Sequence, residues 1–116
     1  MEPVAPSFDL EPLARLLDAH AERAEPSVLA QFRELLAQAP ACYQRDCWPG
    51  HFTGSAWLVS PAGTEGLLTH HRKLDRWLQL GGHADGDRDM ARVALKEAQE
   101  ESGLQGLSVA DDATFD

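Results

Sequence analysis

The sequence is poor in basic residues. It has ten Lys and Arg against nineteen Asp and Glu, which gives a formal charge of −9 at pH 7. The few basic residues are scattered along the chain, whereas a surface that binds nucleic acid needs clustered Lys and Arg to neutralise phosphates. The composition therefore argues against a nucleic-acid partner, although nucleotides held through bound cations remain allowed.

The chain also lacks a long apolar run and an export signal. No stretch approaches the roughly 20 consecutive apolar residues that cross a bilayer as a helix. The first residues, MEPVAPSFDL, do not show the basic and then apolar pattern of a signal peptide. We therefore expect no membrane association and take the cytoplasm as the compartment.

Cysteine is scarce, since Cys42 and Cys47 are the only two, and His51 follows shortly after them. The spacing Cys-x4-Cys-x3-His does not match the usual zinc motifs, and a fourth ligand is not evident. The pattern favours reduced cysteines near the start of a strand, with a zinc site as the alternative.

What the sequence does contain is enough for one folded domain. Its 116 residues are 43% hydrophobic and 25% charged, the composition of an ordinary globular protein. Apolar residues at three- and four-residue intervals predict two helices in the segment 1–40. Asp9 would cap the first, which runs to about Arg23, and the second begins after Ser27 and ends before Pro40. We expect a helical hairpin that covers a sheet or a partner protomer.

From His51 onwards the pattern changes to short extended segments. HFTGSAWLVS is rich in aromatic and β-branched residues, PAGTEG indicates a turn, and LLTHH follows, so a β-hairpin is predicted. The next segment, RKLDRWLQLGGH, predicts a short extended piece that leads into the double glycine Gly81-Gly82. After Leu104 only twelve residues remain, enough for one strand at most.

A helix is predicted immediately after the double glycine. Asp87 is the expected N-cap, the helix runs from Arg88 to about Ser102, and Gly103 provides a common stop. At about 100° per residue, one broad face is apolar and the opposite face is turned to water. The apolar face holds Met90, Val93, Ala94 and Ala98, and the opposite face holds Arg88, Arg92, Lys96 and Gln99.

Three carboxylates of this helix, Glu97, Glu100 and Glu101, fall on or beside its apolar face. A solvated face would instead place acids among the basic residues on the far side. Burying three carboxylates within a turn and a half is unfavourable through desolvation and mutual repulsion, which indicates a compensating cation. Hard oxygen ligands favour magnesium or manganese. The alternative is a helix end exposed at a rim.

These residues resemble the Nudix box, whose pattern is Gly, five residues, Glu, seven residues, Arg-Glu, an aliphatic, any residue, Glu-Glu, any residue, Gly, an aliphatic. The positions in register are Gly82, Glu97, Glu100, Glu101, Gly103 and Leu104. The preceding LLTHHRKLDRWLQLGGHADGD is similar to a bacterial Nudix subgroup that carries GGHxDGD in place of the usual first glutamate. Three positions depart from the pattern: Arg88 for the first glutamate, Lys96 for the arginine and Ala98 for the aliphatic.

The resemblance covers about His51 to Leu104 and implies an α+β fold. In Nudix proteins this is an α/β/α sandwich around a mixed sheet, with the box, 82–104, as loop, helix and loop. Residues 41–116 would then be the N-terminal half of a Nudix domain, preceded by the helical segment. Because a complete Nudix domain continues past its box, we expect either a truncated fragment or a homo-oligomer whose second copy supplies the missing sheet partner.

The resemblance also implies a function, the Mg2+- or Mn2+-dependent hydrolysis of a nucleoside diphosphate linked to another group. Glu97, Glu100 and Glu101 would hold the divalent cations. Glu100 or Glu101 is the local candidate for the base that takes the proton of the attacking water. Because Arg88 and Lys96 depart from the pattern, a non-catalytic nucleotide-binding module or an inactive truncated fragment remains the alternative.

Four further residues are candidate substrate contacts. Gly82 would let the loop backbone approach the diphosphate. His83 is placed to contact metal-bound phosphates, with loop hydrogen bonding as the alternative. Arg72 and Lys73 lie just before the box, where cations can contact a phosphate, although exposed loop cations are more often solvated.

Overall fold

The computed structural model describes residues 12–110, which form an α+β arrangement of helices and short antiparallel strands. The helices are α1 (Pro12–His20), α2 (Pro26–Leu36) and α3 (Met90–Ser102), with a 3-10 turn at Ala41–Tyr43. The strands are β1 (Thr53–Ala56), β2 (Leu58–Val59), β3 (Gly66–Leu67), β4 (Thr69–His71), β5 (Arg76–Leu78) and β6 (Leu80–His83).

The two predicted N-terminal helices are present. Pro12 and Pro26 stand at the first helical position of α1 and α2, where the missing N–H of proline removes no helical hydrogen bond. The first helix ends at His20, three residues before the predicted Arg23. The predicted cap, Asp9, lies outside the described residues. The two helices pack on each other and are joined by an ion pair of 2.9 Å between Arg33 and Asp18.

The strands form three separate two-stranded ribbons, each antiparallel. β2 pairs with β3 across the PAGTEG turn, which confirms the predicted hairpin, and β4 pairs with β5. β1 pairs with β6, so the strand that opens this region lies beside the one that carries the double glycine. No mixed sheet is present among residues 12–110, and no strand follows Leu104 up to residue 110. The Nudix sandwich stays a proposal.

Helix α3 packs across the β1–β6 ribbon because glycines keep one face of the ribbon flat. A Cβ built on Gly54 would lie only 3.0 Å from the Cγ1 of Val93 and 3.1 Å from the carbonyl oxygen of Met90. Only glycine allows the helix backbone this close. Leu80, the first residue of β6, is buried, as are Val93 and Ala98 of α3.

The core joins the N-terminal helices to the ribbon. One buried cluster contains Leu13, Leu17, Cys42, Tyr43, Phe52, Ala84 and Val93. Phe52 packs between Tyr43 and Phe32, with ring centroids 5.5 and 5.9 Å away. Cys42 lies in the 3-10 turn, and its carbonyl oxygen accepts a hydrogen bond of 2.8 Å from the N–H of Phe52, the residue before β1. Cys42 and Cys47 are both free thiols.

The N-cap of α3 is a different aspartate from the predicted one. Asp89, not Asp87, is the N-cap, and its carboxylate accepts a hydrogen bond of 3.1 Å from the backbone N–H of Arg92. The helix therefore begins at Met90 rather than Arg88. Its C-terminus follows the prediction, since Gly103 adopts φ 74°, the left-handed conformation that ends many helices.

The described part of the chain contains no helix that is both long enough and apolar enough to cross a membrane.

We expect Gly103→Ala to lower the free energy of unfolding by about 1 kcal/mol, because an L side chain is strained at positive φ. The space around Gly103 is open, so no clash contributes to the loss. Gly50 is equally open and does not have a positive φ, which makes Gly50→Ala the matched control. Urea unfolding of both variants tests the prediction, and equal losses would contradict it.

Candidate functional site

The double glycine of β6 lies directly under the carboxylate of Glu97. A Cβ built on Gly82 would lie 2.5 Å from the carboxyl carbon of Glu97 and 2.6 Å from its Oε1. The half-buried Glu97 therefore occupies the space that a side chain at position 82 would need. Gly82 and Glu97, two positions of the box, are therefore in contact.

Glu101 reaches the same strand one helical turn further on. Its Oε1 accepts a hydrogen bond of 3.1 Å from the backbone N–H of Gly81. This N–H lies on the edge of β6 that faces away from β1, where no strand partner satisfies it. Glu97 and Glu101 thus both bring carboxylates to the Gly81-Gly82 backbone, from residues i and i+4 of one helix face.

Glu100 points elsewhere. It is exposed, and its nearest charged partner is Lys96, with 4.0 Å between Nζ and Oε2. The helix therefore separates the three predicted metal ligands into a pair on β6 and one on the surface. Among residues 12–110 no three His, Cys, Asp or Glu side chains stand together in a group that could hold a metal ion.

The three glutamates have the oxygen donors that a hard divalent cation prefers, but only two of them are placed together. Glu97 and Glu101 offer carboxylate oxygens of the type that Mg2+ prefers, and neither has a Lys or Arg within 4.0 Å among the described residues. In the same region Asp85, Asp87 and Glu100 are each paired with a basic side chain. Glu97 and Glu101 are therefore the two residues placed to hold a cation, and Glu100 as arranged is not.

The loop between β6 and α3 is held by the segment after the 3-10 turn. The N–H of Gly86 donates to the carbonyl oxygen of Tyr43 over 2.8 Å. Arg45 donates to both carboxylate oxygens of Asp85, with nitrogen to oxygen distances of 3.0 to 3.2 Å. These hydrogen bonds hold the pKa of Asp85 below its usual value. Sequence spacing gave no signal for this contact, because the partners are forty residues apart.

An ion pair between Asp87 and Arg92 also holds this loop. Two hydrogen bonds of 2.8 Å join the guanidinium of Arg92 to the two oxygens of Asp87, which also accepts from the N–H of Asp89. Together these donors lower the pKa of Asp87 from 3.8 to about 2. Asp87 thus fixes the turn before α3. Arg88, predicted to face water, is instead half-buried, with its guanidinium carbon 5.9 Å from the centre of the Tyr43 ring.

The other predicted substrate contacts are dispersed. Gly82 lies at the glutamates, but the adjacent His83 forms a pair with the imidazole of His51, with ring centres 5.2 Å apart. Arg72 and Lys73 lie exposed in the turn between β4 and β5, and neither forms a hydrogen bond or ion pair with a described residue. Helix α3 makes its main strand contacts with β1 and β6. Arg72 and Lys73 therefore have no contact that ties them to the candidate site.

No model of a known protein family matches the chain, and a search of the curated proteins gives no match either. The functional interpretation therefore depends on the residues of the box and on the geometry around the double glycine.

We expect substitution by alanine to destabilise the protein more at Gly81 than at Gly82. A Cβ on Gly81 would lie 2.6 Å from the Cβ of Ser55 and 2.7 Å from the carbonyl oxygen of Gly54, both fixed by the ribbon. Gly81→Ala should therefore lower the free energy of unfolding by about 2–3 kcal/mol. Gly82→Ala meets only the movable end of Glu97, so its loss should stay below about 1 kcal/mol. Denaturant unfolding tests this, and equal losses would contradict it.

The lowered pKa of Asp87 predicts a pH-dependent contribution to stability. A carboxyl with a folded-state pKa of about 2 and an unfolded value of 3.8 stabilises the fold above pH 3.8 and loses that contribution as the pH falls towards 2. Asp87→Asn should therefore lower the free energy of unfolding by about 1–2 kcal/mol at pH 7, allowing for partial exposure. The difference from the parent should shrink between pH 4 and pH 2. A difference that is constant over this range would show that Asp87 acts by other means.

Proposed function

We propose that the chain is a Mg2+- or Mn2+-dependent hydrolase of the Nudix type, which acts on a nucleoside diphosphate linked to another group. The observation that carries the proposal is the position of Glu97 and Glu101 against the Gly81-Gly82 backbone. Two carboxylates without a Lys or Arg partner among the described residues lie beside a backbone that has no side chain, and their oxygens are the kind of ligand that Mg2+ prefers. The Nudix resemblance of the box gives the same function.

The chemistry of phosphoryl transfer explains why this arrangement suits the reaction. A bound Mg2+ supplies positive charge that offsets the charge on phosphate oxygens. In this proposal Glu97 and Glu101 hold the cation, and Glu101 is oriented by the N–H of Gly81. Gly82 carries no side chain that would obstruct the diphosphate.

In this proposal the base that takes the proton of the attacking water is Glu101 or Glu100, or a group outside the helix. A base must lie within hydrogen-bonding reach of the water it activates. Glu101 lies at the double glycine and accepts one backbone hydrogen bond there. Glu100 is turned towards Lys96 and would have to reorient to reach the same water.

A second candidate function is nucleotide binding without turnover. It is favoured by the separation of Glu100 from Glu97 and Glu101, since among the described residues these acids form no group of three. It is also favoured by Arg88, which packs on Tyr43 where the Nudix pattern has an acid. A module of this kind would bind the diphosphate through one cation and lack the base.

An apolar cleft supports the predicted homo-oligomer. It has a volume of about 640 Å3, lies beside β1 between α1 and α3, and is lined in part by the exposed side chains of Phe32, Trp57, Val59 and Val109. Exposed apolar surface of this kind is often covered by another chain. Self-association stays a prediction.

Hydrolysis of a panel of nucleoside diphosphate derivatives with Mg2+ tests the proposal. The decisive variant is Glu101→Gln, because the amide oxygen of glutamine can still accept the hydrogen bond from Gly81 while the negative charge is removed. We expect the turnover rate to fall at least a hundredfold without loss of stability. Glu65→Gln, the same chemical change in the turn between β2 and β3, is the matched control and should keep full activity.

The outcomes separate the two functions. Turnover that is lost in Glu101→Gln but kept in Glu65→Gln supports the hydrolase. Binding of a nucleotide without turnover by the parent chain, weakened in Glu101→Gln, supports the binding module instead. Unchanged turnover in Glu101→Gln would overturn the assignment of the site.

A further inference from the structure

Two histidines meet on the face of the β1–β6 ribbon that is turned away from α3. Gly54 faces the helix, and because side chains alternate along a strand, Thr53 faces the other side. Thr53 is paired with His83, and His51 lies two residues before Thr53. His51 and His83 are therefore diagonal neighbours on this outer face, which explains their contact.

The two imidazoles present nitrogen atoms to each other. The Nε2 of His51 lies 3.1 Å from the Nδ1 of His83. Two nitrogens that each lie about 2.0–2.1 Å from one tetrahedral zinc ion are roughly 3.3 Å apart. The separation in the structure thus differs by only a few tenths of an ångström from that of two ligands on one metal.

Metal binding at this pair of histidines requires no change in the number of bound protons. In neutral rings the 3.1 Å contact is a hydrogen bond, so one of the two facing nitrogens carries a hydrogen. For both to bind a metal, that ring adopts its other tautomer, and its hydrogen moves to the nitrogen that faces away. No proton is gained or lost, and the metal takes the place of the shared hydrogen.

The surroundings define the class of metal. Asp85 lies close enough to His83 for an electrostatic interaction, although the guanidinium of Arg45 is paired with that carboxylate. The described residues provide no third His, Cys, Asp or Glu at this point, so water would complete the coordination. Imidazole nitrogen suits Cu2+, Ni2+ and Zn2+ rather than Mg2+, and Cu2+ binds most tightly in this series.

We propose that His51 and His83 form a chelating site for a divalent transition metal, separate from the carboxylates of α3. Gly82 faces Glu97 on the helix side of the ribbon, whereas His83, the next residue of the strand, faces the other side. The site differs in its ligands, nitrogen against oxygen, and in its position. It stands independently of the proposed hydrolysis.

Calorimetric titration with Zn2+ and with Cu2+ alone, in the presence of excess Mg2+, tests the site. We expect one ion to bind per chain, and His51→Ala and His83→Ala each to weaken binding at least tenfold. His71→Ala is the matched control, because His71 lies on the separate β4–β5 ribbon. Glu101→Gln should also bind as the parent does, which separates this site from the carboxylates.

Nitrogen NMR of the parent chain gives a test that does not depend on the folding of a variant. Zn2+ should shift the Nε2 resonance of His51 and the Nδ1 resonance of His83, and leave the ring nitrogens of His71 unchanged. Electron paramagnetic resonance of the Cu2+ form should show two imidazole nitrogens on the metal. Absence of binding, or shifts confined to other histidines, would overturn the proposal.

Discussion

The close approach of α3 to the β1–β6 ribbon is the constraint on which the rest of the structure depends. It requires glycine at position 54, because a Cβ there would lie 3.0 Å from the Cγ1 of Val93 and 3.1 Å from the carbonyl oxygen of Met90, whereas a Cβ at Gly82 would meet the end of the Glu97 side chain. Once the helix is seated there, its residues 97 and 101 necessarily fall over β6. Glutamates at these two positions then take the space and the free N–H that the glycines leave.

The loop between β6 and α3 is fixed from both ends, and this gives the candidate site its rigidity. Tyr43 and Arg45 hold its beginning, while Arg92 and the cap Asp89 hold its end. Two of these contacts pair an acidic side chain with a basic one, Asp85 with Arg45 and Asp87 with Arg92. In a chain with nineteen acids and ten basic residues, some carboxylates must remain without a basic partner, and two of them lie at the double glycine. Two carboxylates without a Lys or Arg partner among residues 12–110 thus lie where a divalent cation is proposed.

The two faces of the ribbon differ in chemistry because strand side chains alternate. Its inner face is apolar and glycine-rich, and it carries α3 with the two carboxylates. Its outer face is polar and brings His51 to His83 over 3.1 Å. Oxygen donors on one side and nitrogen donors on the other suit different classes of metal. The two proposed sites therefore lie on opposite faces of the β1–β6 ribbon.

The sequence by itself determined the local elements of this protein, because their signals are local. Pro26 and Gly103 mark helix ends through backbone chemistry, and PAGTEG makes a hairpin. The structure also showed that Asp89 rather than Asp87 caps α3, because Asp87 binds the guanidinium of Arg92 instead. Only the tertiary structure decided that β1 pairs with β6 and that α3 packs on this ribbon. These contacts join distant segments, and no periodicity within one segment encodes them.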